Sequence, residues 1–315
     1  MPLPSDERIV QLGKDIIATF DQAFGVHSGK RPAHAKGILL KGEFRPSSKA
    51  ASLTRAPHLQ RESVPVVARF SNSTGLPEIP DTHPRANPRG FAVRFYLADR
   101  VHTDIISHAA DGFPTKNGQE FLEFLRAAGA SDPSKNPPSP SPIEVFLSKH
   151  PETAAFMQTP KPAPSSFARE RYFGVTAFSF TNGDGVQRYG RYFIVPEAGV
   201  EHVDDATTAS KPDNFLLEEL RQRLRSQPVR FEIQVQVAEP GDVVNDPTVR
   251  WPEERQKIPF GTVTLSELHP EDEAEQKHII FDPIPRVDGI EPSDDPLLEL
   301  RAAVYLLSGR RRREA

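Results

Sequence analysis

The sequence predicts an α+β fold, an eight-stranded antiparallel β-barrel with peripheral α-helices. Three observations lead there. About eight runs rich in β-branched and aromatic residues are bounded by Pro, Gly, Asn and Asp. Several of these runs are joined by links of hairpin length. Helical periodicity is confined to stretches outside or between them. Closing antiparallel strands on themselves removes exposed edges, which favours a barrel over an open sheet.

In chain order, residues 5–24 read as an amphipathic helix, with Ser5 as N-cap, Ile9, Leu12, Ile16 and Phe20 at helical spacing, and Gly25 as its stop. Strand candidates follow at 34–44, 64–73, 89–97 and 103–109. GQEFLEFLRAAGA (118–130) returns to helical periodicity, and the proline-rich SDPSKNPPSPSP (131–142) reads as a loop. GVTAFSFTN (174–182) and QRYGRYFIVP (187–196) flank Asn182-Gly183-Asp184-Gly185, which favours a hairpin. A helix at 213–227, an alternating strand at 229–239 and a shorter strand at 260–265 complete the middle of the chain. With no internal repeat and no composition break, a single domain over 1–315 is expected, its N-terminal helix ending by residue 25. A barrel of this kind can also enclose a ligand in its lumen.

Composition narrows the chemistry. A net charge of -4 gives no general attraction for nucleic acid or anionic membrane. Proline, at 32 of 315 residues, is about double its usual ~5%, so long connecting loops are expected. The absence of cysteine excludes disulfides, Fe–S clusters and thiolate ligands, so a metal or haem must use His, Tyr or carboxylates. Neither a signal-like start nor an 18-residue apolar run is present, so the chain as written reads as cytoplasmic and without membrane insertion, with a periplasmic location open if a leader preceded it.

SDDPLLELRAAVYLLSGRRRREA (293–315) is the most informative stretch. Ser293 is the expected cap, Asp294 and Asp295 oppose the helix dipole, Pro296 suits the first turn, and Gly309 is the expected end, giving a helix over 293–309. Arg301 and Tyr305 stand at i and i+4, close enough for the guanidinium to donate to the phenol oxygen and favour a phenolate, a ligand for iron. Alone, this spacing equally describes a tyrosine packed beside Leu297, Leu300 and Val304.

The wider pattern resolves that ambiguity. IFDPIPRVDGIEPSDDPLLELRAAVY (280–305) resembles the proximal segment of haem catalases, where a helix carrying RxxxY supplies the axial tyrosine. RPAHAKG (31–37), VARFSNSTG (67–75) and NPRGFAVRFY (87–96) are similar, in the same order, to that family's three distal phrases, and 246–265 to a later segment. The resemblance implies a haem b cofactor with Tyr305 as axial iron ligand moderated by Arg301. It implies His34 as the distal histidine oriented by Ser71, and Arg31, Arg69 and Arg312 as partners of the haem propionates. Phe113 and Phe121 match aromatic residues that pack over the haem.

Two departures qualify it. The family's distal asparagine falls in DIISHAADGF (104–113), where His108 or a neighbour stands instead, so His108 joins the catalytic candidates; and the acidic residue of the substrate channel is Asn87. The chain stops ten residues after Tyr305, which makes the resemblance one to the minimal catalase-related peroxidases. The implied activity is a haem peroxidase that reduces hydrogen peroxide or organic hydroperoxides at the expense of a small organic donor, with weak catalase activity. A homodimer stays open. Two readings share the same barrel: a non-catalytic carrier holding haem or an apolar ligand in its lumen, and a hydroperoxide-converting enzyme of the allene oxide synthase type. His102 and His108, six residues apart, lack the helical spacing of an HExxH metal site.

Overall fold

A computed structural model describes residues 2–315. Met1, the first residue of the expected domain, lies outside the described residues. The strands are β1 (Gly37–Pro46), β2 (Val64–Ser71), β3 (Gly90–Ala98), β4 (Val101–His108), β5 (Ala163–Pro164) and β6 (Tyr172–Phe173). They continue with β7 (Phe178–Thr181), β8 (Gln187–Pro196), β9 (His202–Val203), β10 (Val229–Val237), β11 (Lys257–Leu268) and β12 (Ile290–Pro292). The helices are α1 (Glu7–Phe24), α2 (Gly118–Ala130), α3 (Pro142–Lys149) and α4 (Pro151–Gln158). After them come α5 (Asp205–Ala209), α6 (Phe215–Arg223), α7 (Asp272–His278) and α8 (Leu297–Glu314).

The expected barrel is present. Strands pair in the order β10-β11-β1-β2-β3-β4-β6-β8, and a further β8–β10 pairing closes the ring, while β7 and β12 extend from β8. Neighbouring strands are antiparallel throughout. Period-two alternation sends one set of side chains inward, and these are large. Phe44, Phe70, Phe91, Phe95, Phe231 and Phe260 are buried with Tyr172, with Phe70–Phe91 and Phe44–Phe95 ring centroids each 4.9 Å apart. A packed interior of this kind holds no ligand, which corrects the expectation of a lumen that could store one. The outward set, including Leu39, Val67, Ala92 and Ile106, instead packs under Ile279 and Phe281.

Several boundaries move. Asp6, not Ser5, caps α1, its carboxylate accepting from Arg8 N at 2.8 Å. Pro296 rather than Ser293 takes the N-cap position of the last helix, Asp295 before it accepts from Leu297 N at 2.9 Å, and the helix runs to Glu314. Gly309 does not end it. That glycine lies inside α8, where a methyl group would run into the Ile280 side chain, so close packing explains it. The expected loop over 131–142 is present up to Ser141 apart from one short 3₁₀ turn at Pro133–Lys135, but α3, which begins at Pro142, and α4 follow unforeseen. The capping box Ser141/Glu144 that starts α3 was legible in the sequence.

One buried titratable group tests the packed interior. His58 contacts Phe44, Phe95 and Phe260, is 1% exposed, and leaves Nδ1 without a partner. Burial pushes its imidazole down to about 3. Between that value and the unfolded ~6.5, the unfolded chain binds a proton that the folded chain refuses, so stability falls as pH falls, by at most ~1.4 kcal/mol per pH unit from this group. Replacing His58 with Phe is expected to flatten the slope of unfolding free energy between pH 6.5 and 5 by about one proton, measured by urea titration at each pH.

Candidate active site

The expected site residues meet on the outer face of the barrel. In register, Gly37 of β1 pairs with Ser71 of β2, Ser71 with Gly90 of β3, and Gly90 with His108 of β4. Partners in register point to the same side of a sheet, so Ser71, Gly90 and His108 form one row. A second row on the same face, two residues along, comprises Arg69, Ala92 and Ile106. Residues of both rows line a cavity of ≈ 270 Å³, far above the ~10–15 Å³ that admits one water. Helix α8 bounds it with Arg301, Val304, Tyr305, Ser308 and Arg312, and α1 contributes Ile16 and Phe20.

His34 reaches this row from the loop before β1. Its φ of 55° is in the left-handed region, uncommon for any residue except glycine and tolerated best by Asn, Asp and His. The conformation is held by His34 N donating to Ser73 O at 3.1 Å and by Arg69 donating to the His34 carbonyl at 2.8 Å. The ring lies over Gly90, with Nδ1 3.1 Å from Ser71 Oγ. A methyl group on Gly90 would stand 2.6 Å from Ser71 Oγ and 2.9 Å from His34 Nδ1. Burial, with the Arg69, His108 and Arg31 charges behind it, pushes His34 down to about 3. His108 is pushed down to about 4 by burial, then by Arg301. Both rings are neutral near pH 7.

The residues next to these form their own buried network. Lys36, Asn72 and Arg89 follow or precede His34, Ser71 and Gly90 within two positions, and all converge on Asp81. Lys36 pairs with its carboxylate at 2.9 Å, Asn72 donates to it at 2.8 Å, and Arg89 donates to Asn72 Oδ1 and to the Asp81 carbonyl. Breaking a buried pair on one side costs several kcal/mol, roughly 3–5, so the loops that carry His34, Ser71 and Gly90 are tied to one another.

At the cavity edge three guanidiniums gather with no carboxylate hydrogen-bonded to them among the described residues, Asp272 standing behind Gln276. Arg31 donates to the carbonyls of Gln276 and Ile279; Arg69 to Gln276 Oε1 and the His34 and Ala35 carbonyls; Arg312 to Ser308 Oγ and the Ile279 carbonyl. Every acceptor is neutral, and Arg312 Nε is buried with no partner. Burial and mutual repulsion pull Arg31 well down, and burial with the Arg312 charge brings Arg69 to about 9. Arg312 falls to about 10 through burial, then Arg313 and Arg311. All three remain cationic near neutral pH, an arrangement suited to a ligand with more than one negative group. Gln276 on α7 braces two of the three, and the sequence reading missed it.

On α8, Arg301 Nε donates to Tyr305 Oη at 3.2 Å and its terminal nitrogen to Thr176 Oγ1 at 3.1 Å, as the i, i+4 spacing predicted for the first pair. Phe113 and Phe121 lie 5.1 Å apart with their rings tilted by 45° in the apolar wall, with Phe20 behind. Of the residues around the expected distal position, Ser107 and His108 line the cavity and Ala109 does not. Asn87 lies away from the cavity with its amide donating to the Lys161 carbonyl. Space over Gly90 and Ala92, apolar walls, a phenol beside a guanidinium and three cations at the rim without an ion-pair partner among the described residues fit a planar, dianionic, iron-bearing group. Among the described residues no cluster of His and carboxylates suits a metal ion directly, and no helix is long and apolar enough to cross a membrane.

Comparison with known proteins agrees with this geometry. The family model described as Catalase matches residues 17–314. A protein named catalase-related peroxidase from Synechococcus elongatus is 35% identical over 296 residues, covering 93% of this chain and 86% of its own length. One of the same name from Mycolicibacterium paratuberculosis is 36% identical over 289 residues, covering 90% and 89%. A fungal catalase structure superposes with a TM-score of 0.78 at 19% identity, and a bacterial catalase with 0.77 at 22%. The chain spans 62% of each of those two, and they share its fold.

Gly90→Ala is expected to push the His34 ring off Ser71 and lower stability by ~1–3 kcal/mol. The imidazole ¹⁵N shifts of His34 and the urea midpoint check both effects; an unmoved His34 signal would contradict the packing.

Proposed function

Because the chain belongs to the catalase family, we propose that it is a haem-dependent peroxidase, reducing hydrogen peroxide or organic hydroperoxides while oxidising a small organic donor. The observation that carries this reading is the convergence on one cavity of the Arg301–Tyr305 pair and the His34–Ser71 pair. Haem b is the proposed cofactor, with Tyr305 Oη as iron ligand and Arg31, Arg69 and Arg312 pairing with its propionates. When bound, the haem iron supplies the redox centre at which the peroxide O–O bond is broken.

The side chains have separate tasks. Arg301 places a cation against the Tyr305 oxygen and, through Thr176, is itself held to the loop before β7. His34, with Nδ1–H toward Ser71 Oγ, keeps Nε2 as an acceptor for the peroxide proton, which it can hand back to the leaving oxygen. Its depressed basicity keeps that nitrogen unprotonated down to about pH 3. Phe113, Phe121 and Phe20 line the cavity with apolar surface, which excludes water and suits an organic substituent. Oxygen release from two molecules of hydrogen peroxide is expected to be slow beside donor oxidation, since the family's distal amide and channel acid are both replaced.

Purified protein is expected to show a haem spectrum whose ligand-to-iron charge-transfer band is lost in Tyr305→Phe; an unaltered spectrum would assign the iron to another residue. His34→Ala should keep its haem but lower peroxide-dependent dye oxidation by ~10²–10⁴-fold. Equal rates in mutant and wild type would remove His34 from the mechanism.

A further inference from the structure

The backbone locates the proton of His108. Ala110 N lies 3.2 Å from His108 Nδ1. A backbone N–H can only donate, so Nδ1 accepts and the neutral ring carries its hydrogen on Nε2. Nδ1 is turned toward the chain at Ala110, and the ring lines the cavity, so the N–H end faces the space that His34 faces. Gly90, standing between Ser71 and His108 in the row, leaves no side chain to separate the two rings.

We infer that His108 is a fixed hydrogen-bond donor to the bound peroxide, and that the pair His34 (acceptor) and His108 (donor) admits a hydroperoxide with a single O–H. The inference rests on the peroxidase reading. Its chemistry follows from counting hydrogens. An alkyl hydroperoxide, ROOH, has one hydrogen to give and lone pairs on both oxygens. A site with two acceptors would need both hydrogens of H₂O₂, whereas one acceptor and one donor are satisfied by either substrate. The alkyl group then falls against Phe113 and Phe121. No proton leaves His108: a neutral imidazole that gave up its only N–H would become an imidazolate, so the peroxide proton travels to His34 Nε2 and the His108 hydrogen stays in place. His108 is thus a hydrogen-bond donor and not an acid–base group.

Three measurements on the haem-loaded, full-length protein test this. Long-range ¹H–¹⁵N correlation of the imidazoles, read without turnover, is expected to show His108 protonated at Nε2 only; a proton at Nδ1 overturns the inference. With tert-butyl hydroperoxide, His108→Ala is expected to raise KM about ten- to fiftyfold, the effect of losing one hydrogen bond to a polar ligand, with the pH profile unmoved. His108→Asn, which restores an N–H donor without any titrating group, should return KM to within a few-fold. A His108→Ala enzyme that matches wild type, or an Asn variant as impaired as Ala while retaining haem, overturns the role of His108 and leaves the peroxidase reading intact. Absence of peroxide turnover in the wild type overturns both.

Discussion

Strand register across β1, β2, β3 and β4 is the constraint on which the site depends. Ser71, Gly90 and His108 share a row only because Phe70, Phe91 and Ser107, one position away on each strand, face the other side. A slip of one residue in any of these strands would send its part of the site row into the barrel, and in β2 or β3 would bring a phenylalanine to the cavity. The aromatic interior opposes such a slip, because its rings are large, mutually packed and without room for a polar row. The packing of the barrel and the placement of His34, Ser71 and His108 are therefore one problem with one solution.

Small residues do the complementary work. Gly90 gives His34 its resting place, Ala92 keeps the second row low, and Gly13 lets α1 approach Ala303 and Val304 of α8. Through that contact the N-terminal helix reaches the cavity with Ile16 and Phe20, although it is distant in sequence from α8. Side chains removed at these points make the space; the large ones around them give it shape.

The rim is built against its own electrostatics. Arg31, Arg69 and Arg312 arrive from a loop, a strand and the last helix, and each depresses the ionisation of another or is depressed by neighbouring arginines. Neutral carbonyls, Gln276 and Ser308 hold the guanidiniums in place without cancelling their charge. Gathering like charges in a partly buried site is unfavourable unless an anion completes it. By contrast, the Lys36–Asp81 pair behind the row is already balanced, with Asn72 and Arg89 joining it, and serves the loops rather than the cavity.

Much of this was legible in the residues. Alternation and turn signals located β2, β3, β8 and β10, the i, i+4 spacing placed Arg301 beside Tyr305, and the order of the distal phrases marked His34, Ser71, Arg69 and Arg31 for one site. What a linear reading could not supply was distance between separate segments. Gln276 carries no local signal that it braces two arginines, and Gly309 reads as a helix end until Ile280 is seen against it. Gly90 looks like any strand glycine until the His34 ring is found on top of it. The lumen seemed available until the inward phenylalanines were seen to fill it. The sequence by itself determined which residues were chemically able to act, because residue type and local periodicity are properties of neighbours along the chain. The tertiary structure decided which side of the barrel they act on, and which nitrogen of His108 bears its hydrogen, because those depend on register and packing between strands and helices far apart in the chain.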